Sequence, residues 1–439
     1  MTNMATAPTP RATVRMYRQG LGDCLYVELL RGKNEPFRIM IDCGLVLGAA
    51  KQQDKMKAVM ADIVKTLKGK PLDLLVVTHP HWDHVSGFVQ AEEEFSKIAV
   101  KAVWLAWTED DRDPLARKLR TVHAAAETAL RASIDPLRKA GLDVVAQQTA
   151  SLLDFLGATK QSGRTTRDAV KAAAAKVSVP HYCLPGEDPF PIPGSQARIF
   201  VLGPPRDEKS LSKMNPSTRD PETYSLSALG GLAGLADAFG DVQASKPFDA
   251  NFTIPLDDAK ALTFFSENYA ARDPWRRIDN DWLQATSGFA LLLDRAVNNS
   301  SLALAIELEP GGDVLLFAAD AQVGNWLSWL TLSWALDGGT VTGSDLIARS
   351  IVYKVGHHAS LNASLREQGV ETMNRLQFAL VPVDAQEAIA RKWGNNIPFP
   401  ALLAALGNKA KGGVLRSDKD GGEKHPAVTA LRLAYEVSV

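Results

Sequence analysis

Residues 72–77 read LDLLVV, an almost unbroken apolar run. Alternate side chains of a strand point to opposite faces. A run with both sets apolar therefore predicts a strand covered on both sides. Similar runs recur at FALLLD (289–294), LALAIEL (302–308), VLLFAAD (314–320), IVYKVG (351–356) and FALVPV (378–383). Residues 12–17, 24–31 and FRIMID (37–42) also read as strands, the first two linked by the glycine-rich turn QGLGD. KAVWLAW (101–107) and RIFVL (198–202) complete the set. Met56, Val59, Met60, Ile63, Val64 and Leu67 fall at helical spacing, and Gly69 suits the helix stop. A helix carrying Trp326, Trp329 and Trp334 is expected after Asp320. This order suits two sheets packed together with helices outside.

Two stretches interrupt the pattern. Residues 111–180 are rich in Ala, Lys and Arg, with Leu115, Leu119, Val122 and Leu130 on one helical face, and read as a helical insertion. Residues 206–287 are rich in Gly, Pro and Asp and read as a second insertion. The sandwich is then expected as a first half at 11–110, a return at 181–205 and a second half at 288–425. Residues 426–439 would form a C-terminal strand or tail, and residues 1–10 a loose tail.

The formal net charge is −1, so no global basic surplus drives binding to nucleic acid. Three cysteines, Cys24, Cys43 and Cys183, make no disulfide framework and no cysteine-type zinc motif. The N-terminus lacks the apolar core of a secretory signal, and no run of about 18 apolar residues occurs. A cytoplasmic location with no membrane partner is the expectation.

The run at 72–77 leads directly into THPHWDHVSG (78–87), which places His79, His81, Asp83 and His84 in six positions. Imidazole and carboxylate together are metal-ligand chemistry, and a loop leaving a strand end is a common place for it. His79 and His81 are two apart and can face one side, while Asp83 and His84 can serve a second ion. A polar loop, or one structural ion, is the plainer alternative. Two other apolar strands end in similar groups: VLLFAAD at Asp320, and IVYKVGHH at His357 and His358. Five of the eight histidines thus fall at two strand ends, with a carboxylate at a third.

THPHWDH, FAAD and VGHH together resemble the metallo-β-lactamase superfamily, whose signature is H-x-H-x-D-H, a bridging Asp and a late His. The resemblance implies an α+β fold, a four-layer αββα sandwich. QGLGDCLYVEL (19–29), MIDCG (40–44), NNSSLALAIEL (298–308), VGHHAS (355–360) and GGVLRSDKDG (412–421) are similar to motifs of the ComEC-like hydrolase-domain branch. The resemblance implies that His79 and His81 hold one divalent cation, Asp83 and His84 a second, with Asp320 bridging. One of His357 and His358 would ligate the second ion and the other face substrate. Asp42 would orient a ligand histidine from behind. Lys354 would offset phosphate charge, or lie as a solvated lysine. Asp83, His357 and Lys354 are the expected catalytic set. Zinc is the expected metal, with manganese as the alternative.

Some positions depart from the family pattern. A third His for the first ion often lies between the first cluster and the bridging Asp. Only His123 and His181 occupy that interval. His123 falls in the helical insertion, and His181 shows no ligand pattern around it. Phe399 and Pro400 replace a His-Pro pair, and Ser86 and Ala359 stand where glycine is common.

Two divalent cations lower the pKa of bound water from about 15.7 to about 7, so the expected activity is hydrolysis by a metal-bound hydroxide. A phosphodiester is the expected substrate, either nucleic acid or a small diester. The locally basic segments 112–120 and 160–176 support nucleic acid, although a solvated helical face explains them equally. The alternatives are a lactonase or β-lactamase-type hydrolase acting on another small molecule, and a non-catalytic interaction module. Trp82 would either stack on a substrate group or pack against the helix layer.

Overall fold

The computed structural model describes residues 11–139, 141–154, 164–213, 217, 254, 256–270, 286–336, 338–391, 397–420 and 425–439. The readings for residues 1–10 and for most of 206–287 lie outside these.

Six strands of the first half build one sheet. They are β1 (Ala12–Tyr17), β2 (Cys24–Arg31), β3 (Asn34–Cys43), β4 (Leu74–Val77), β5 (Val103–Ala106) and β6 (His181–Cys183). The chain then forms β7 (Phe190–Pro191), β8 (Arg198–Gly203), β9 (Ala303–Glu307) and β10 (Val314–Phe317). β11 (Ser333–Leu336) and β12 (Gly339–Thr342) make a separate hairpin. β13 (Ser350–Lys354), β14 (Phe378–Val381) and β15 (Gly413–Arg416) extend the second sheet. β16 (Val428–Ala430) and β17 (Ala434–Ser438) return to the first.

The first sheet has eight strands in the order β16-β17-β1-β2-β3-β4-β5-β6, and the second has seven in the order β15-β14-β13-β10-β9-β8-β7. β17 pairs antiparallel with β1, so the C-terminal residues are an integral part of the sheet.

Side-chain alternation divides the apolar residues among three cores, and three cores separate four layers. Val14, Ile39, Ile41, Leu74 and Val76 from the first sheet meet Leu304, Ile306, Leu315 and Phe317 from the second. The opposite face of the first sheet, with Met40, Leu75 and Val77, packs on Met56, Val59, Met60 and Ile63 of the helix Gln52–Leu67. The opposite face of the second, with Ala303, Ala305 and Leu316, packs on Trp326, Trp329, Leu346 and Leu406. The α+β four-layer sandwich follows from the patterning of these strands, which are buried on both faces.

Two segments differ from expectation. FALLLD lies within the helix Thr286–Asn299, not a strand. Its buried residues, Ala290, Leu293 and Val297, recur at helical spacing. The six-residue window was too short for that period to show against an apolar background. Trp334 lies on β11 rather than on the helix Val323–Trp329, and its ring packs edge-on against Phe200.

The described chain falls into two compact units, one drawn from 1–117, 154–230 and 295–439, the other from 118–153 and 231–294. The sandwich belongs to the first. The helix Thr166–Ala174, within the stretch expected as an insertion, gives Ala169, Val170 and Ala173 to the outer core of the first sheet. In the second unit, Leu137 and Ala146 form a small cluster at the turn between two helices. No described helix is long and apolar enough to cross a membrane.

Ile306 sits fully buried between the sheets, so its truncation leaves a cavity that neither sheet can close. Ile306→Ala is expected to cost about 2–5 kcal/mol in urea unfolding. Val179→Ala, at a position 72% exposed, should stay within about 0.5 kcal/mol. Equal effects would contradict the layer assignment.

Candidate metal centre

The centre forms where β4, β10 and β13 end. THPHWDH leaves β4, and the short helix Trp82–Val85 turns Asp83 and His84 inward. Asp320 follows β10, and His357 and His358 follow β13, which pairs parallel with β10. The two sheets are joined at this point by Leu302 N–H, which donates to the Thr78 carbonyl at 2.9 Å.

The structure brings Asp83, His84, Asp320 and His358 together, with one ligand atom of each within 4.8 Å of the others. His358 Nε2 lies 2.8 Å from Asp83 Oδ2, across 275 residues of sequence. His84 Nε2 lies 3.2 Å from Asp320 Oδ2, and His79 Nε2 lies 4.0 Å from the same oxygen. The His79 ring centroid is 4.8 Å from that of His81 and 4.1 Å from that of His84. All six side chains are buried.

The two late histidines separate cleanly. His358 faces the carboxylates, and its Nδ1 donates to the Pro382 carbonyl at 2.8 Å, which leaves Nε2 directed inward. His357 is turned away. Asn298 Nδ2 donates to its Nε2 at 3.2 Å, and its Nδ1 bonds Ser360 Oγ at 2.8 Å. Burial lowers the His357 pKa to about 4, which matches a neutral ring held between a donor and an acceptor.

Asp42 lies behind the centre. Its Oδ2 is 2.8 Å from His84 Nδ1, and it accepts from Thr78 N–H at 2.8 Å and from Thr78 Oγ1 at 2.6 Å. His84 Nδ1 is thereby fixed as the protonated nitrogen, with Nε2 free to face Asp320.

The sequence reading missed Asp23, which it treated as part of a turn. Asp23 is buried and pairs with Lys354 Nζ. Its signal was present, as an acid flanked by Gly22 and a strand, but QGLGD also reads as a linker. Asp23 N–H donates to the Asp83 carbonyl at 2.9 Å. Gly22 and Gly44 permit this contact: a Cβ at Gly44 would lie 2.2 Å from the Asp83 carbonyl carbon, and one at Gly22 would lie 2.6 Å from the Asp83 oxygen. Ser86 keeps its hydroxyl occupied on the Leu45 backbone, accepting from N–H at 3.0 Å.

Lys354 requires a correction. It is not a solvated lysine. Its ammonium is buried, donates to the Ala319 carbonyl at 2.9 Å, and lies beside Asp23 and Asp320. Trp82 is buried as well, so it packs within the protein. His181 stacks near Trp104 and pairs with Glu187, so it does not supply a third histidine to His79 and His81.

Electrostatics follow from burial. Asp23, Asp42, Asp83 and Asp320 are each 1% exposed or less. Burial raises the Asp320 carboxyl, but His84, Lys354 and His358 outweigh it and hold Asp320 well below the usual range. Burial opposes charge on His84 and His358, yet the surrounding carboxylates raise both. Burial and neighbouring imidazoles lower His79 strongly, and burial takes His81 to about 4. The set fits divalent cations: Asp83 and Asp320 are held toward the ionised form, and His79 and His81 toward the neutral form. His79 Nε2 and Asp83 Oδ1 are buried without a hydrogen-bond partner, as atoms reserved for a ligand would be. Asp83, His84, Asp320 and His358 could hold a divalent cation, with the His79 and His81 rings beside them.

Backbone strain gathers at the same loops. Asp42, Ala319, His357, His358 and Ala359 all have φ between 40° and 60°. Such conformations persist where surrounding structure fixes them, which is common at functional sites.

The family model described as the metallo-beta-lactamase superfamily matches residues 19–144. The match covers QGLGD, MIDCG and THPHWDH but ends before Asp320 and His358, and takes in less than a third of the chain. No curated protein matches the chain. The match identifies a metallo-beta-lactamase superfamily domain at residues 19–144, and that superfamily is composed mostly of hydrolytic enzymes.

Two substitutions probe this arrangement. Asp42→Asn is expected to weaken zinc affinity about 10–100-fold by titration calorimetry, because His84 Nδ1 loses the carboxylate oxygen that orients it. Unchanged affinity would contradict its orienting role. Lys354→Met should destabilise the metal-free protein by about 3–5 kcal/mol in urea, since it strips two buried carboxylates of their cation.

Proposed function

We propose that this chain is a binuclear metal-dependent hydrolase acting on phosphodiesters. The observation that carries the reading is the convergence of three distant strand ends on one buried donor set, with His358 Nε2 2.8 Å from Asp83 Oδ2. A fold alone does not specify chemistry, but a donor set of this composition restricts it. Divalent cations bound here would lower the pKa of a water molecule and stabilise negative charge developing on a reacting oxygen.

The chain's own residues prepare the site for that chemistry. Asp42 and Pro382 fix the tautomers of His84 and His358 through their Nδ1 atoms. Lys354 lies beside Asp320 and Asp23 and favours the charged carboxylate at both, without occupying a ligand position. Asn298 and Ser360 hold His357 neutral beside the centre, where its ring can border a bound substrate. Asp83 acts as a ligand in this reading, Lys354 as a positioning residue, and His357 as a substrate-facing residue.

The phosphodiester assignment rests on the similarity of QGLGD, MIDCG, NNSSL and VGHHAS to the ComEC-like branch. A small diester is favoured over nucleic acid. Arg112 is paired with Asp110 at 3.0 Å, Arg164 with Glu92 at 3.2 Å and Arg167 with Asp111 at 3.3 Å. Those acids partly cancel the field that would attract a polyanion.

The test is hydrolysis of bis(p-nitrophenyl) phosphate by the full chain with added zinc or manganese. Turnover is expected, reduced to background by Asp320→Asn and His84→Asn. His358→Asn should lower zinc content, whereas His357→Asn should retain it. Single- and double-stranded DNA, nitrocefin and a lactone panel run in parallel. Turnover of lactone or nitrocefin without any phosphodiester would overturn the substrate assignment.

A further inference from the structure

β6 is the edge strand of the first sheet, paired on one side with β5. Side chains alternate along it. Tyr182 packs with the outer core, whereas Cys183 joins the core between the sheets. His181 and Cys183 lie two residues apart and share that inner face. The chain then turns at 184–186 and presents Glu187 to the same place.

The turn is anchored from two directions. Gly186 N–H donates to the Val201 carbonyl of β8 at 3.0 Å, and Trp334 Nε1 donates to the Glu187 carbonyl at 2.9 Å. Glu187 is thus fixed in position before any ligand arrives. Its Oε1 lies 2.9 Å from His181 Nε2, and one ligand atom each of His181, Cys183 and Glu187 lies within 4.8 Å of the others. The cysteine is buried, the glutamate part-buried and the histidine exposed, so the group opens to solvent on one side.

We propose that His181, Cys183 and Glu187 form a second metal site, separate from the histidine–aspartate centre, that takes a borderline-soft divalent cation such as zinc. The donor set is one imidazole nitrogen, one sulfur and one carboxylate oxygen, which suits zinc with water in a fourth position. Binding would replace the proton shared by His181 and Glu187, and the Cys183 thiol would release its proton to solvent. Burial and the Glu187 charge hold that thiol protonated in the protein alone, and a cation reverses the balance. β6 belongs to one sheet and the Glu187 turn is fastened to β8 of the other, so the ion would fasten an exposed sheet edge where the chain crosses over.

Sulfur makes the site distinguishable. The histidine–aspartate centre offers only nitrogen and oxygen donors, and among the described residues Cys24 and Cys43 belong to no comparable group. Metal-free full-length protein is titrated with cobalt(II) and followed by absorption. Wild type should develop the near-ultraviolet sulfur-to-cobalt charge-transfer band. Asp320→Asn should keep the band, and Cys183→Ser should lose it together with one equivalent of bound cobalt. His181→Ala and Glu187→Gln, at more exposed positions, should weaken the cobalt affinity read from the band by about tenfold or more. These two keep the test open if the cysteine variant does not fold. Absence of the band in wild type, or a band unchanged in every variant that folds, would overturn the proposal.

Discussion

Four carboxylates buried at one junction constrain everything else in this protein. Asp23, Asp42 and Asp320 lie at β-strand ends and Asp83 on the short helix after β4, and each is almost wholly shielded from water. Isolated charges in that setting would be prohibitively costly. They are tolerated because every one has an assigned partner. Asp23 and Asp320 have Lys354, Asp42 has Thr78 and His84, and Asp83 has His358. The sandwich supplies the rigidity that keeps those partners in register.

The same network explains the glycines and the strained loops. Gly22 and Gly44 bring the ends of β2 and β3 against the backbone at Asp83, closer than any side chain would allow. Left-handed residues at Asp42, Ala319 and His357–Ala359 turn three loops sharply at the strand ends. Strain spent here is offset by three apolar cores that close around the two sheets. The apolar cores thereby let the site carry an arrangement that would be unfavourable by itself.

The layered fold was largely legible because its strands are apolar on both faces, and a covered sheet is what that pattern demands. FALLLD reads as a strand because five apolar residues in a row carry no period, and only the flanking Val297 and the helix boundaries distinguish helix from strand. At the site, THPHWDH, Asp320 and the His357–His358 pair were visible as ligand types at strand ends. Asp23 was hidden in a turn-like glycine motif. Lys354 was visible but its direction was not, since a lysine near a strand end can face solvent or a buried acid with equal ease. His181 seemed isolated because Cys183 and Glu187 become its neighbours only when β6 and the following turn fold back.

Sequence by itself determined the residue types and the periods: which runs must be buried, and which loops hold imidazole and carboxylate together. These are local properties, set by side-chain chemistry and backbone alternation. Tertiary structure decided which atoms meet. It chose His358 over His357 by turning one ring toward Asp83 and the other toward Asn298. It also committed Lys354 to Asp23 and aligned His181 with Cys183 and Glu187. Those choices depend on contacts between elements tens to hundreds of residues apart, and no local pattern encodes the direction in which a buried side chain finds its partner.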